Sequence, residues 1–451
     1  MTQPIADYRL PSTPGPHPRR WRGGEIAAWV VIVLAAATLI VATALAKARA
    51  AATADETDNT QVEFFGRYAV GMETAVAVMP TAKSSIHPLL KALDQLAKSP
   101  ADQVRAAIIA GEVNDTDAAL QRIARLRAKY PQLRADLAVL ESYYEPTGER
   151  LERATATAPA AFAERYGWFA QVAATHGRPI SDPARWAAVV PGIRTIITAV
   201  VMVLLAGGGF LCGLVLLVIG LVLLVRGKLR LAFAAASPPP MPAASPLLPA
   251  DRGACVEGFA WYLGGMVGLS LLLRYGFHLS GLWPSLGLLL PFLVGVLWPL
   301  LRGQGVASWR HALGLHTGRG IIREMFSGVL GYLAGMPLFA AGIGITLVLT
   351  KLTGADATHP IMNEVRGSWG IKVLLFVLAV IWAPITEELM FRGALFASLR
   401  ERFGWLISAP MVALIFAAIH PQGWTALPAL GALALVLAGI REWRGSIVAC
   451  A

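Results

Sequence analysis

A chain of 451 residues that is 56% hydrophobic and 15% charged, with a mean hydropathy of +0.57, carries too little charge for a soluble protein of its length. We expect an all-α, polytopic membrane protein with about eight transmembrane helices in the lipid bilayer. The formal net charge of +11 would suit nucleic acid, but the arginines flank apolar runs instead of clustering on one face, which argues against that class of partner.

The N-terminal part of the chain predicts a membrane anchor. Residues 1–24 are polar and Pro-rich and read as a cytoplasmic tail, with three arginines just before an apolar run at 25–46. That run has about the 20 residues that a spanning helix needs. A cleavable signal peptide is the alternative, because Ala44-Leu45-Ala46 resembles a cleavage site. Signal sequences have shorter apolar regions of about 7–15 residues, which favours an uncleaved anchor.

Residues 47–190 differ in kind from the rest of the chain. Charged residues are frequent there, and small and aliphatic residues recur at helical spacing, for example over 104–109. Asn114-Asp115-Thr116-Asp117 supplies a turn and an N-cap between two such segments. The pattern predicts an extracytoplasmic helical domain. Its two histidines, His87 and His176, are isolated and lack metal-ligand spacing, so we interpret them as ordinary surface or core residues.

From residue 191 onward the chain is apolar. A first span is predicted within 191–230, followed by a Pro-rich linker at 231–253 and a membrane-embedded helical bundle at 254–451. Individual candidate spans lie near 195–225, 254–273, 279–301, 325–350, 371–397, 405–420 and 425–440. The last two are short for a bilayer, so we expect them to be irregular, oblique or surrounded by protein.

Arginine and lysine are unequally distributed among the short loops. With a cytoplasmic N-terminus, the inner loops carry Arg226, Lys228, Arg230, Arg252, Arg302, Arg310, Arg319, Arg323, Arg400, Arg402, Arg441 and Arg444, and the outer loops carry Arg274, Lys351, Arg366 and Lys372. This asymmetry predicts a multi-pass protein of the cell membrane whose N-terminus lies in the cytoplasm.

Two adjacent glutamates, Glu387 and Glu388, lie inside the apolar segment 371–397. Each carboxylate at membrane depth costs roughly 2.5 kcal/mol or more, so a pair is expected to have a function. On a helix Glu388 and Arg392 are i,i+4 neighbours that can pair. Glu387 is rotated by about 100° and faces another side, free to accept a proton. Pro384 is expected to bend the helix just before the glutamates.

The next apolar segment ends with Phe416 and His420, which share a helix face. Among the eight histidines only His278 and His420 border a predicted span, and His278 has no acidic motif on its neighbouring span. A neutral imidazole beside a carboxylate in a low-dielectric pocket can activate a water or bind a metal. Counted from the flanking charges, Glu387 lies nearer the inner surface and His420 nearer the outer one, so tilted or offset helices are expected.

These two motifs together resemble the CPBP family of intramembrane endopeptidases (CAAX protease and bacteriocin-processing, also called Abi). The resemblance covers roughly 300–451 and rests on Glu387, Glu388 and Arg392, followed by Phe416 and His420. It implies hydrolysis of a membrane-associated peptide or protein. Glu387 and His420 would activate a water, Glu388 and Arg392 would orient the site, and Phe416 would support it.

The resemblance leaves the cofactor open between a divalent metal and a metal-free glutamate mechanism. Zinc on Glu387 and His420 would have fewer than the usual three protein ligands. The family's third motif, His-x-x-x-Asn or similar, is expected after Ser446, but no histidine follows His420 and the sequence ends at Ala451. On the family's pattern an oxyanion-stabilising amide is then missing.

Three alternatives remain open beside the protease. The first is a non-catalytic membrane scaffold or bacteriocin-immunity protein of the same family, which binds a peptide without cutting it. The second is a structural polar clamp between helices, made by the glutamates and Arg392. The third, transport through buried carboxylates, is disfavoured because the spans show no internal repeat. The sequence specifies neither the substrate nor the oligomeric state.

Overall fold

The computed structural model describes residues 22–52, 60–78, 87–113, 116–145, 158–229, 253–278, 289–355 and 368–451. Within these ranges every regular element is helical, and several helices are long and apolar enough to cross a membrane, which confirms the predicted all-α, multi-pass class. Nearly all of the predicted N-terminal tail and of the Pro-rich linker lies outside the described residues.

The helices follow one another in chain order. The first are α1 (Gly23–Ala52), α2 (Thr60–Val78), α3 (His87–Leu96), α4 (Pro100–Glu112), α5 (Thr116–Lys129), α6 (Arg134–Tyr144), α7 (Ala160–Tyr166), α8 (Trp168–Ala174) and α9 (Pro183–Val225). They are followed by α10 (Gly253–Leu271), α11 (Leu289–Leu301), α12 (Val306–Leu313), α13 (Ile321–Thr353), α14 (Trp369–Val377), α15 (Ala383–Glu387), α16 (Ala397–Arg402), α17 (Trp405–Ile419) and α18 (Leu427–Arg444).

The chain divides into two compact units, one drawn from Met1–Lys47 and Gly208–Ala451 and the other from Ala48–Gly207. Each has its own apolar core. We call them the membrane unit and the polar unit.

Helix α4 is the centre of the polar unit. Ser99 caps its N-terminus by accepting a hydrogen bond from the Asp102 amide at 3.0 Å, and Pro100 occupies the first turn, where its missing N–H costs nothing. Nearly every residue from Asp102 to Glu112 is buried, since α2, α3, α5, α6 and α8 pack around this helix. A central helix buried on all sides explains why its apolar spacing is less regular than that of a surface helix.

The C-terminal end of α4 carries a buried carboxylate with three partners. Glu112 accepts hydrogen bonds from the Tyr144 hydroxyl at 3.0 Å, from Nη1 of Arg185 at 2.7 Å and from Nδ1 of His176 at 2.9 Å. Burial works to raise the pKa of Glu112, but the His176 hydrogen bond and the Arg185 charge outweigh it and hold the pKa below its ordinary value. His176 is therefore a structural partner inside the polar unit; the His87 side chain lies outside the described part.

Six helical stretches of the described chain are long and apolar enough to span a bilayer. They are Gly23–Ala48, Pro183–Val225, Gly253–Gly276, Ile321–Thr353, Trp369–Arg400 and Trp424–Arg444, and the shorter apolar helices Leu289–Leu301 and Trp405–Ile419 occupy the positions of two further predicted spans. The predicted span at 279–301 begins in residues outside the described ranges. α17 is short, as predicted, and packs against α18 and the helix that carries the glutamates.

Glycines set the close spacing of the membrane unit. On α10 and α11, Gly258 and Gly295 face each other so closely that a Cβ on either would collide with the carbonyl oxygen of the other. Along α13, Gly331 and Gly335 likewise lie against Ile440 and Val436 of α18. Small residues let helix backbones approach in a membrane, where helix packing replaces the hydrophobic effect. These contacts determine the position of α10 and α18 beside the glutamates.

Ion pairs join the ends of the helices in the membrane unit. Arg400 binds Glu442 through two hydrogen bonds of 2.9 and 2.8 Å, and Arg402 pairs with Glu25 at the start of α1. The sequence predicted both arginines only as inner-loop charges. Their glutamate partners are almost fully buried, so these bidentate and charge-assisted bonds fix how the helices end.

Candidate active site

Both glutamates of the motif lie on one continuous helix, residues 369–402, which we call the site helix. It comprises α14, a π-helical segment Leu378–Trp382, α15, a second π-helical segment Glu388–Phe396, and α16. The first wide segment contains Val380, whose carbonyl would clash with Pro384 in an α-helix, so the wider turn accommodates the predicted proline distortion. π-Helical turns inside α-helices occur frequently at functional sites.

Glu388 and Arg392 form a buried ion pair, as their spacing predicts. Nη1 of Arg392 lies 2.8 Å from Oε1 of Glu388, and neither side chain is more than 5% exposed. The Arg392 guanidinium also lies over the Phe416 ring, 4.7 Å from its centroid, and donates a hydrogen bond to the Ala434 carbonyl at 3.5 Å. The pair is thus held between α17 and α18.

Glu387 faces a different partner. Its Oε1 lies 3.9 Å from Nε2 of His420, beyond direct hydrogen-bond distance and within the range where a water bridges two polar groups. Both side chains remain partly accessible, Glu387 by 31% and His420 by 17%. Nδ1 of His420 bonds to the Phe416 carbonyl. A carbonyl only accepts, so the neutral ring carries its proton on Nδ1 and presents the Nε2 lone pair to Glu387.

The predicted difference in depth between Glu387 and His420 is wrong. Glu387 lies 13 residues before Arg400, and His420 lies 15 residues after Trp405 in the antiparallel neighbour, so each is about 20 Å from the shared helix end. The prediction misplaced Glu387 because the site helix continues well beyond the apolar run on which the estimate rested. The structure brings both motifs together at matched depth.

Aromatic rings connect the two motifs to α10. Phe259 contacts Phe391 with ring centroids 5.1 Å apart, Phe391 contacts Phe416 at 5.0 Å, and Phe416 contacts the His420 imidazole at 4.2 Å. Phe416 thus touches Arg392, Phe391 and His420 at once, which fits its predicted supporting position. The rings separate the Glu388–Arg392 pair from the more accessible Glu387 and His420.

Arg441 is a component of the site's surroundings that the sequence analysis missed. It was predicted as an inner-loop charge, but it is 1% exposed and donates from Nε to the Arg392 carbonyl at 3.2 Å and from Nη2 to the Ala312 carbonyl at 3.4 Å. Gly314, with a φ of +78°, lies directly against its guanidinium, where a Cβ would collide. In a π-helical segment the backbone carbonyls accept hydrogen bonds in a different register from an α-helix. Arg441 on α18 donates to one of these carbonyls, that of Arg392.

The donor set does not fit an ordinary catalytic zinc site. Within the described residues no group of three or more His, Cys, Asp or Glu side chains is placed to hold a metal ion. Glu387 and His420 supply two donors, whereas catalytic zinc usually has three protein ligands. Glu388 is adjacent in sequence, but its carboxylate pairs with Arg392.

Two other polar residues of the membrane unit have structural partners. Glu257 accepts a hydrogen bond from the Trp298 indole at 2.9 Å and pairs with Arg302 at 3.1 Å, so it joins α10 to α11. His316 accepts, through its carbonyl, a hydrogen bond from the Ser446 hydroxyl at 2.7 Å. Burial and the nearby Arg441 charge lower the pKa of His316. It is a loop residue packed against α18.

The fold and the site together define a multi-pass helical membrane protein with a carboxylate and an imidazole facing each other inside the helical bundle. Residues 369–451 match the family described as Rce1-like, type II CAAX prenyl endopeptidase Rce1-like. The match begins at the first residue of the site helix and covers both motifs. This match supports membership of the CAAX protease family and confirms the resemblance seen in the motifs. Searches of the curated proteins and of the solved structures gave no match.

Proposed function

We propose that this protein is an intramembrane endopeptidase that hydrolyses a peptide bond of a membrane-associated peptide or protein. The proposal rests on the 3.9 Å approach of His420 Nε2 to Glu387 Oε1 within the matched family segment. A structural clamp would be expected to close such a gap, as the Glu388–Arg392 ion pair does at 2.8 Å. The accessible gap suits a reacting water.

In the proposed reaction a water lies between Glu387 and His420. Glu387 removes one proton as general base, while the His420 Nε2 lone pair accepts the water's other hydrogen and orients it. The water oxygen attacks the scissile carbonyl carbon and forms a tetrahedral intermediate. The proton held on Glu387 then passes to the amide nitrogen as the C–N bond breaks. The products are a carboxylic acid, which keeps the second hydrogen of the water, and an amine.

Glu388 and Arg392 contribute by fixing the geometry. Arg392 neutralises the charge of Glu388, so Glu387 has no second free carboxylate beside it. Two like charges at close range would disfavour ionisation of both. Phe416, which stacks against both Arg392 and His420, holds the imidazole in place. Two available donors are few for a metal ion, so no step is assigned to one.

The substrate class is a peptide at the membrane. The matched family is named for CAAX prenyl substrates. The proposal rests on Glu387 and His420, which act on the peptide bond, so prenylation is not part of it.

The test compares protein N-termini in host-cell membranes that contain equal amounts of the wild type or Glu387→Gln, by mass spectrometry. We expect new termini near membrane faces with the wild type and their loss in the variant. Glu257→Gln is the matched control, since it removes a carboxylate from α10 that pairs with Arg302. It should retain the termini. Identical sets of termini for the wild type and Glu387→Gln would reject the proposed function.

A further inference from the structure

Helix α1 reaches from one end of α17 to the other. At its start Glu25 pairs with Arg402, three residues before α17 begins. About 33 Å further along α1, Lys47 donates a hydrogen bond from Nζ to the Gln422 carbonyl at 2.5 Å, just after α17 has ended. Between these two contacts α1 and Met411 of α17 line one apolar cavity. Polar contacts therefore join α1 to the chain beyond both ends of the helix that leads to the histidine.

The Lys47 contact falls in the turn that contains the proposed catalytic histidine. α17 ends at Ile419, and His420 has extended backbone angles, with φ −76° and ψ 141°, so its imidazole is carried by the turn and not by the helix. Gly423 lies in the left-handed region with a φ of +87°, and a Cβ there would be 3.2 Å from Nζ of Lys47. The lysine ammonium is thus packed directly against the backbone of this turn.

Contacts within α17 restrain the start of the turn only in part. The His420 amide donates to the Ala417 carbonyl at 3.3 Å, which is longer than most N–H···O hydrogen bonds. The last residues of a helix fray readily, because their carbonyls lack partners within the helix. A hydrogen bond from a second helix to the Gln422 carbonyl, two residues further on, limits that movement.

The chemistry of the contact suits such a restraint. Lysines near the ends of membrane spans commonly extend their ammonium toward water. Lys47 is instead half-buried and binds a backbone carbonyl of the protein. A charge-assisted hydrogen bond of this kind is roughly twice as strong as a neutral one.

We propose that Lys47 is a positioning residue for His420. By holding the turn at Gln422, it keeps the imidazole at the distance from Glu387 that a water can bridge. This inference rests on the proposed function for its catalytic consequence. Lys47 acts through the turn and touches neither the substrate nor the reacting water. Helix α1, which precedes the matched segment 369–451, is then part of the catalytic unit as well as a membrane span.

The first test measures kinetics with a reporter peptide, a quenched fluorescent peptide that carries the sequence most often cut in the N-terminus comparison. Lys47→Met removes the ammonium and keeps an apolar stem. We expect kcat to fall about 10- to 100-fold, because small misplacements of a catalytic group have effects of this size, with KM within about twofold of wild type. Lys351→Met, at an exposed position in the last turn of α13, is the matched control and should keep wild-type kcat.

A second measurement is independent of cleavage. Hydrogen exchange of the protein in bilayer nanodiscs follows the amides of His420 and Ala426, which are hydrogen-bonded at the two ends of the turn. In Lys47→Met they should exchange about 10-fold faster, the effect expected from losing one hydrogen bond to a charged group. In Lys351→Met their exchange should equal that of the wild type.

The outcomes separate the role of Lys47 from the proposed function. Unchanged exchange of the turn in Lys47→Met, an unchanged kcat, or a fall in kcat that only parallels a fall in thermal stability would each overturn the positioning role. Wild-type cleavage by Glu387→Gln would instead overturn the proposed function, while the exchange of the turn would still show whether Lys47 holds it.

Discussion

Each unit of this protein has a glutamate inside its helical packing with a histidine beside it, but the two glutamates differ in exposure and in hydrogen bonding. In the polar unit both oxygens of Glu112 are bonded, Oε1 to Tyr144 and His176 and Oε2 to Arg185. In the membrane unit Glu387 remains partly accessible and faces His420 across 3.9 Å. A buried carboxylate whose hydrogen bonds are complete stabilises a fold, whereas one left open toward a second titratable group is available for chemistry.

Glu387→Gln should give the largest effect on cleavage. Unchanged cleavage would contradict the contrast drawn between Glu387 and Glu112. We expect cleavage of the reporter peptide to fall about 10²- to 10⁴-fold, the usual contribution of a general base. Thermal stability should change little, because Glu387 is partly exposed and makes no direct hydrogen bond to His420. A large loss of stability with retained cleavage would make Glu387 a structural residue like Glu112.

Glu112→Gln should give the opposite result. The change leaves Arg185 next to a neutral amide inside the polar unit, so we expect a loss of about 3 kcal/mol in the free energy of opening that unit. Hydrogen exchange of the α4 amides in the full-length protein measures this loss. Cleavage per folded molecule should equal wild type. Asp94→Asn is the matched control, since Asp94 is half-exposed and its pair with Arg122 is worth little.

The sequence alone was sufficient for the local part of the site. The i,i+4 spacing of Glu388 and Arg392 predicted their ion pair, because neighbours on one helix need no tertiary information. The meeting of Glu387 with His420 needed the family resemblance as well, since it depends on how two helices align. Counting from flanking charges misjudged that alignment because the length of a helix is not set by its apolar run alone.

Other features of the structure could not be predicted from residues that are neighbours in the sequence. The π-helical segments differ from an α-helix only in hydrogen-bond register, and the Arg441 bond to the Arg392 carbonyl spans 49 positions. The hydrogen bond between His176 and Glu112 spans 64 positions, so His176 appeared isolated. The cytoplasmic N-terminus and the extracytoplasmic side of residues 47–190 stay predictions.

A third prediction tests whether the two units respond separately. It displaces α10 of the membrane unit and keeps every charged residue. Gly258→Ala puts a methyl group against the Gly295 carbonyl, so α10 must shift away from α11. We expect a loss of about 1–3 kcal/mol in stability, as in other overpacked sites. The matched control is Gly268→Ala on the same helix, where a Cβ meets no atom within 4 Å.

That control should be neutral or slightly stabilising, because alanine favours helix over glycine. Thermal unfolding in bilayer nanodiscs measures both variants. Because Phe259 on α10 contacts Phe391 of the site helix, Gly258→Ala should also lower kcat, whereas the hydrogen exchange of α4 in the polar unit should not change. A uniform loss of protection in both units would show that the two units do not respond separately.

The smallest expected effect is a pH dependence confined to the polar unit. The pKa of Glu112 is held below its ordinary value in the folded protein by His176 and Arg185, against the effect of burial. A lowered folded pKa contributes stability that is fully present above the unfolded pKa, about 4.3, and is lost as pH falls through the folded pKa. Protection of the α4 amides, corrected for intrinsic exchange, should therefore decrease as pH falls below about 4.3. In Glu112→Gln this part of the decrease should disappear, because the variant has no carboxyl at position 112 to protonate, while other carboxylates still titrate. Equal slopes for wild type and Glu112→Gln would show that the buried cluster does not control the acid stability of its unit.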